Sequence, residues 1–390
     1  MDYITIEVEE DEGRLLNVGE LYVSLEQVND KRQAKGKRYT IGILLMVIIL
    51  AKLCGEDTPY GIAEWARLRS KQLQELFGYH RRVKPSNKTL QRLADTSLED
   101  DDLQATIKHY LHQNHGGQQS VQVIIDGKTL RGTIPKGKTR GVHLLAAYLP
   151  EEGVVLLQIE VGQKENEIVA APQLLRQLDL KGRVVSGDAM FTQREISVTV
   201  LAQGGDYLWF VKDNQPALHE DVQRFFQAVE HAPGWHTPPL PQAVATDICK
   251  QSGRVETRRL TVIPDEHNYL QWPGLNTVFR LERYVSYPQK REERLQVVFG
   301  ITSLAFTPRL AKDLLHWTRQ HWSIENRLHY RRDVTLREDA TRMKQTHQAQ
   351  VVATLNNFVI ALMSYLGFSN LASARRIFQA KVDALIFTGA

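Results

Sequence analysis

Three acids in this chain combine a side chain able to do chemistry with a place that could present it. Asp126 follows a β-branched run in VQVIIDGK, Asp188 follows another in RVVSGDAM, and Glu325 lies in HWSIENRLHY among aromatic and basic neighbours. Carboxylates held side by side repel one another and resist ionising unless a cation lies between them. Hard oxygen ligands of this kind select Mg²⁺, or Mn²⁺ in its place, over zinc. Bases gather around each acid. Lys128, Arg131, Lys136, Lys138 and Arg140 follow Asp126, and Arg319, Arg327, Arg331, Arg332, Arg337 and Arg342 surround Glu325. Lys212 and Asn214, in FVKDNQ, end a further strand-like run. Acids for a metal amid bases for phosphate is the layout of phosphodiester chemistry.

Other readings of the same residues stay open. Asp-Gly and Gly-Asp pairs also mark turns, and a glutamate on a helix is usually a solvated face residue. His321, Glu325 and His329 fall at i, i+4 and i+8, which on a helix could form a transition-metal face, although H-E-x-x-H is absent. G-x-x-x-x-G-K-[ST] is also missing, so ATP hydrolysis is not indicated.

The elements that must position these residues follow from periodicity. Residues 31–115 show helical spacing, with ILLMVIILA as a buried helix and Pro85-Ser86 as a turn and N-cap signal. From residue 120 the pattern changes to VQVIID, GVHLLAAYL and VVLLQIEV, three strands in a row. A helix in IVAAPQLLRQLD, a strand in RVVSGDA, a helix in TQREISVTVLAQGG and a strand in DYLWFVK complete the segment 120–216. That order predicts an α/β fold built on a five-stranded mixed sheet of the ribonuclease H-like kind, in which the first and fourth strands are neighbours. After a proline-rich loop, residues 217–305 read as an inserted antiparallel β-region. Residues 306–390 read as a long helix carrying Glu325 and further C-terminal helices, with VVATLNNFVIALMSYLGF either a core helix or a contact between copies. Residues 1–30 form an acidic lead whose one base is Arg14.

Composition excludes several classes. At 390 residues, with 42% hydrophobic and 24% charged side chains, the chain is long enough for two or three ordinary globular domains. Two distant cysteines, Cys54 and Cys249, make neither a disulfide framework nor a cysteine-based zinc module. The longest apolar run spans about half of the ~18–20 residues needed to cross a bilayer, and no export signal opens the chain, so the expectation is a cytoplasmic protein with no membrane partner. The net charge of +4 conceals a more basic body behind the acidic lead, compatible with a polyanion partner.

Four motifs now become specific together. IIDGKTLRGT, KENEIVAAPQLLRQLDLKGRVVSGDAMFTQREI, GGDYLWFVKDNQ and HWSIENRLHYRRDVTLREDATR occur in an order that resembles the H-repeat-associated transposases, the ISAs group of bacterial insertion-sequence transposases with an Asp-Asp-Glu (DDE) site. The resemblance covers nearly all of the chain after residue ~30, PSNKTLQR included. It implies that Asp126, Asp188 and Glu325 are the catalytic, metal-binding acids, served by Mg²⁺. Cleavage and strand transfer at element ends would then be catalysed by a homodimer on paired ends of double-stranded DNA, at the nucleoid. Lys128, Arg131, Lys212, Asn214, Arg319, His321, Asn326, Arg327 and Arg332 are the expected DNA contacts. Lys31 to Arg38, Arg81, Arg82 and Lys84 are expected to help from the helical domain.

Related hairpin-forming transposases carry Y-x2-R-x3-E-x6-K around the glutamate. Aligning on Glu325 places Thr318, His321 and Arg332 at those positions, so only Arg332 keeps a fixed charge and a hairpin intermediate is not implied. Two other functions fit the same residues: a metal-dependent endonuclease that does not join strands, and a catalytically silent DNA-binding remnant.

Overall fold

The computed structural model describes residues 4–5, 15–35, 37–114, 120–162, 165–230, 241–251, 253–289, 292–343 and 345–382. Residues 1–3 and 6–14 of the acidic lead and the proline-rich segment 231–240 lie outside the described residues.

Nine strands form one sheet: β1 (Gln122–Thr129), β2 (His143–Leu149), β3 (Val154–Glu160), β4 (Val184–Gly187), β5 (Asp206–Val211), β6 (Ala243–Gln251), β7 (Arg254–Pro264), β8 (Thr277–Tyr287) and β9 (Glu292–Thr302). Their spatial order is β3-β2-β1-β4-β5-β9-β8-β7-β6, with β1, β4 and β5 parallel to one another and every other pair antiparallel. The sheet is thus larger than the five strands expected, because the inserted antiparallel β-region continues it to nine. The reason lies at β5. Its DYLWFV side chains are almost all buried, and stopping the sheet there would strand its outer row of backbone N–H and C=O groups in an apolar layer. β9 supplies the partners, from Phe299 opposite Val211 to Thr302 opposite Leu208. Gly300 makes the approach possible, because a Cβ there would fall 2.4 Å from the Trp209 carbonyl oxygen of β5.

Each strand face has its own core, as the two-residue side-chain alternation requires. Val123, Ile125, Val185 and Trp209 pack with the helices Glu167–Leu175 and Arg194–Ala202 on one face. Ile124 and Tyr148 face the other way, into a core shared by the N-terminal helices, Ile324, Leu328 and the helix Thr346–Tyr365. The apolar helix Ile41–Leu53 is buried along its whole length there, begun by Thr40, whose hydroxyl accepts from the Ile43 N–H at 3.3 Å. Among the described residues no helix is long and apolar enough to cross a membrane. Thr346–Tyr365 is enclosed over most of its length, so it is a core helix rather than a surface offered to a second copy.

The helix expected through Glu325 is interrupted. The α-helix Leu310–His321 gives way to π-helical turns at Ile324–His329 and Arg331–Thr335. The wider turn breaks the i, i+4, i+8 alignment, and π-turns are frequent at functional sites.

Candidate active site

Asp126 does not end its strand as expected. β1 continues to Thr129 because Asp126 through Thr129 remain paired with Ala146 through His143 of β2. What ends beside Asp126 is the parallel ladder to β4, whose last pair is Ile125 with Gly187. One residue further in the same register lie Asp126 and Asp188, which brings the two aspartates level on neighbouring strands. Asp126 shares its face with Ile124, the face covered by Ile324 and Leu328, and so looks toward the segment that carries Glu325.

The electrostatics follow this placement. Burial, then the charge of Glu167, then those of Glu325 and Asp188, push the Asp126 carboxyl up to about 7 against the partial relief of a 2.9 Å hydrogen bond from the Gly127 N–H. His329 approaches it, Nδ1 to Oδ2 at 3.5 Å. Burial, with Arg332 and Lys128 nearby, holds that imidazole down at about 3, so it is neutral. Asp188 goes the other way. Burial opposes its charge, but the Ala189 N–H at 2.7 Å and the Lys212 ammonium at 3.2 Å keep its carboxyl below the usual range. His321 lies behind it, buried against Phe210 and held down at about 4, mainly by burial.

Glu167 is the residue that sequence reasoning passed over. It sat inside the KENEI motif without a role, and the visible signal was an acid in the first turn of a helix capped by Asn166. Its carboxylate lies so close to the backbone of β1 that a Cβ on Gly127 would stand 2.2 Å from it. His143 holds it by Nε2 at 2.9 Å and bonds Thr129 Oγ1 through Nδ1 at 2.8 Å. Gly127→Ala is expected to push the Glu167 carboxylate, the flexible end of its side chain, out of this seat and off His143 at a small cost of about 1 kcal/mol or less, recovered in Gly127→Ala/Glu167→Ala. Urea unfolding of the three proteins checks it, and an unchanged midpoint in the single variant refutes it.

The expected DNA contacts divide into two groups. Arg131, Asn326 and Arg327 are exposed, and Lys212 is half-exposed beside Asp188. Asn214 bonds the Ala189 carbonyl at 2.7 Å and thereby holds the turn after Asp188. Arg319 pairs with Asp247 at 2.8 Å. Lys128 is buried and pairs with Asp333 at 2.5 Å. Arg332 is 1% exposed and forked onto Glu338, itself 1% exposed, at 2.6 to 3.1 Å, so it is a strut of the fold rather than a phosphate contact, and buried His321 is likewise withdrawn. In the helical region Lys31 pairs with Glu99, while Arg32 and Lys37 pair with Asp30, which neutralises much of that basic run.

The donor set is carboxylate oxygen around a half-buried acid short of positive charge, which suits a hard divalent cation in kind. Glu325 itself is exposed, and among the described residues no three acid, thiol or imidazole side chains stand close enough to grip one ion. Without such an ion, Asp126 stays protonated in the fold up to about pH 7. Once unfolded it ionises near ~4, so raising the pH across that window favours the unfolded chain. Three pH units correspond to roughly 4 kcal/mol, and about half of that, ~2 kcal/mol, is expected once the partial exposure of the side chain is allowed for. Asp126→Asn should therefore melt later than the parent chain at about pH 8 in EDTA and lose that advantage near about pH 4. Equal melting at both ends of the window would refute this.

Comparison with known proteins agrees with the motifs. A family profile described as "Transposase DDE domain" matches residues 117–362, and one described as "DDE_Tnp_1-associated" matches residues 23–111. The "H repeat-associated putative transposase YhhI" of Escherichia coli K12 is 27% identical over 363 residues, covering 91% of this chain and 93% of that protein. The "Uncharacterized protein in dhlA 3'region" of Xanthobacter autotrophicus is 32% identical over 265 residues, 66% of this chain and 86% of that one. A piggyBac transposase in a synaptic complex with hairpin DNA superposes over 95% of this chain and 78% of its own at 10% identity, with a TM-score of 0.40, too loose to bear on mechanism. With a DDE-domain match that runs from before β1 to within the helix Thr346–Tyr365 and takes in Asp126, Asp188 and Glu325, the chain belongs to the DDE transposases.

Proposed function

We propose that this chain is the transposase of a bacterial insertion sequence, cutting DNA at its element's ends and joining them to a target through Asp126, Asp188 and Glu325. The observation that carries this reading is the register of β1 against β4, which sets two aspartates level on the face where the Glu325 segment lies. These three acids, which do not stand close enough here to grip one ion, would have to draw together on DNA to hold Mg²⁺, with Mn²⁺ able to substitute, and the cation would supply positive charge for in-line attack on phosphorus. The chain's own residues set the site around it. Lys212 and the Ala189 N–H keep Asp188 ionised, neutral His329 borders Asp126 without adding charge, and Glu167, fixed by His143, raises the negative field at Asp126. Exposed Arg131, Asn326 and Arg327 are placed to take phosphates.

In cleavage a water oxygen bonds to phosphorus and the 3′ oxygen leaves as a hydroxyl. In joining, that hydroxyl bonds to a target phosphorus and the target's own 3′ oxygen leaves. Each step exchanges one P–O bond for another, with no covalent protein intermediate. Two ends must be joined in concert, so a homodimer on paired ends is the assembly this requires.

The test is incubation of the purified chain with duplexes carrying the element's inverted repeats. Cleavage and joining in Mg²⁺ or Mn²⁺, with binding alone in Ca²⁺, is expected. Cleavage without joining of pre-cut ends would make the protein a nuclease, and binding without cleavage in any of these ions a silent relative.

A further inference from the structure

A cleft of about 850 Å³ lies between the Glu325 segment and the C-terminal helices, separate from the acid site. Its lining includes Arg327 and Arg331 from the π-helical stretch and Arg375 and Arg376 from the helix Leu371–Val382. Arg375 is committed to Asp57 at 2.8 Å and to the carbonyls of Lys52 and Thr335. The other three have no carboxylate within ion-pair distance among the described residues. Arg331 bonds Ser364 Oγ at 3.2 Å and the Ser369 carbonyl at 2.8 Å, Arg327 bonds the Pro150 carbonyl at 3.3 Å, and Arg376 is exposed. One acid, Glu151, also lines the cleft, 3.6 Å from His316.

A second observation points to a ligand. Tyr148 lines the same cleft and is fully buried, yet its hydroxyl has no hydrogen-bond partner among the described residues. A buried donor left unpaired costs stability, and such groups normally have a use. A guanidinium fork matches two phosphate oxygens, and a tyrosine hydroxyl supplies a further donor. Tyr330, also on the lining and 58% exposed, offers a ring on which a base could stack.

We propose that this cleft binds the phosphate backbone of the DNA strand leading away from Glu325, with Arg327, Arg331 and Arg376 as the charge and the Tyr148 hydroxyl as the buried donor. Asn326 and Arg327, the two residues after Glu325, line it, so the cleft adjoins along the chain the segment that carries that acid. The proposal rests on the transposase reading for its ligand, DNA.

The test measures binding of the full chain to a fluorescein-labelled duplex, one element end with its flank, across a range of salt concentrations. Each lost phosphate contact lowers the slope of log affinity against log salt by ~0.9, so Arg331→Gln/Arg376→Gln should lower it by roughly two. Arg376→Gln alone, at an exposed position, should lower it by about one and keeps the test decisive if the double variant fails to fold. Tyr148→Phe should weaken binding about tenfold at an unchanged slope, because it removes a donor and no charge. A wild-type slope in Arg376→Gln, together with wild-type affinity in Tyr148→Phe, would overturn the proposal, as would a response to these variants only with single-stranded RNA. Reduced slopes in a chain that cuts no ends would leave the cleft standing and sink the transposase reading; normal cutting with unchanged slopes would do the reverse.

Discussion

Asp126→Asn and Glu325→Gln are each expected to abolish cutting of element-end DNA, by at least ~10³-fold, while end binding stays within a few-fold of the parent chain. The magnitude follows from the several kcal/mol of transition-state charge stabilisation a metal site supplies, at ~1.4 kcal/mol per factor of ten. Both substitutions keep the shape of the side chain and remove its charge. At Asp126 the asparagine also relieves a carboxyl crowded by Glu167, Glu325 and Asp188, so the variant is expected to fold at least as well as the parent. Loss of activity with retained or raised stability is therefore the signature of a functional acid, whereas loss of both would mark a structural one. Gel assay of an end-labelled duplex in Mg²⁺ and in Mn²⁺, with a thermal melt of each protein, reads both quantities. Undiminished cleavage by either variant would remove that acid from the site.

Arg332→Met is expected to unfold the protein more readily by about 3–5 kcal/mol, the cost of leaving Glu338 buried without its partner. The pair is sealed. Glu338 accepts from Arg332 at 2.6 to 3.1 Å and from Asn356 Nδ2 at 2.9 Å, and Arg332 holds its carboxyl below the usual range against the opposing effect of burial. Glu338→Leu should be comparably costly, and Arg332→Met/Glu338→Leu should recover much of the loss, because it removes both charges together. The phosphate role that alignment on Glu325 suggests makes a different prediction: full stability, with a lower salt slope of DNA binding. Urea unfolding of the single and double variants decides between them.

The parts of this protein legible in the sequence are those governed by local pattern. Apolar periodicity separated the helical N-terminal region from the strands that follow, and the runs ending at IIDGK and VVSGDAM located Asp126 and Asp188 because turn residues interrupt an otherwise unbroken β-branched string. The order of three strands, helix, strand, helix, strand put the first and fourth strands side by side, as the β1–β4 ladder bears out. Four motifs in sequence then pointed to the family that the DDE-domain match shows.

What tertiary structure alone decided concerns partners distant along the chain. Whether β5 is an edge depends on β9, some ninety residues later, and periodicity carries no information on which strand satisfies a given row of N–H groups. Charge in a sequence carries no record of its counter-charge. Arg332 and Arg327 read alike in SIENRLHYRRD, yet one is enclosed with Glu338 and the other is exposed beside the cleft. Glu167 looked like a helix-start acid until folding brought it against the backbone of Gly127, and Tyr148 looked like any strand aromatic until its hydroxyl proved buried and unpaired. The π-turns at Glu325 belong here too, since the same residues have an α-helical apolar pattern, yet in the fold, with Ile324 and Leu328 packed under the sheet, they take the wider turn. Local pattern determines which elements form. Desolvation on folding determines which of their polar groups must pair with one another and which stay free to meet a ligand.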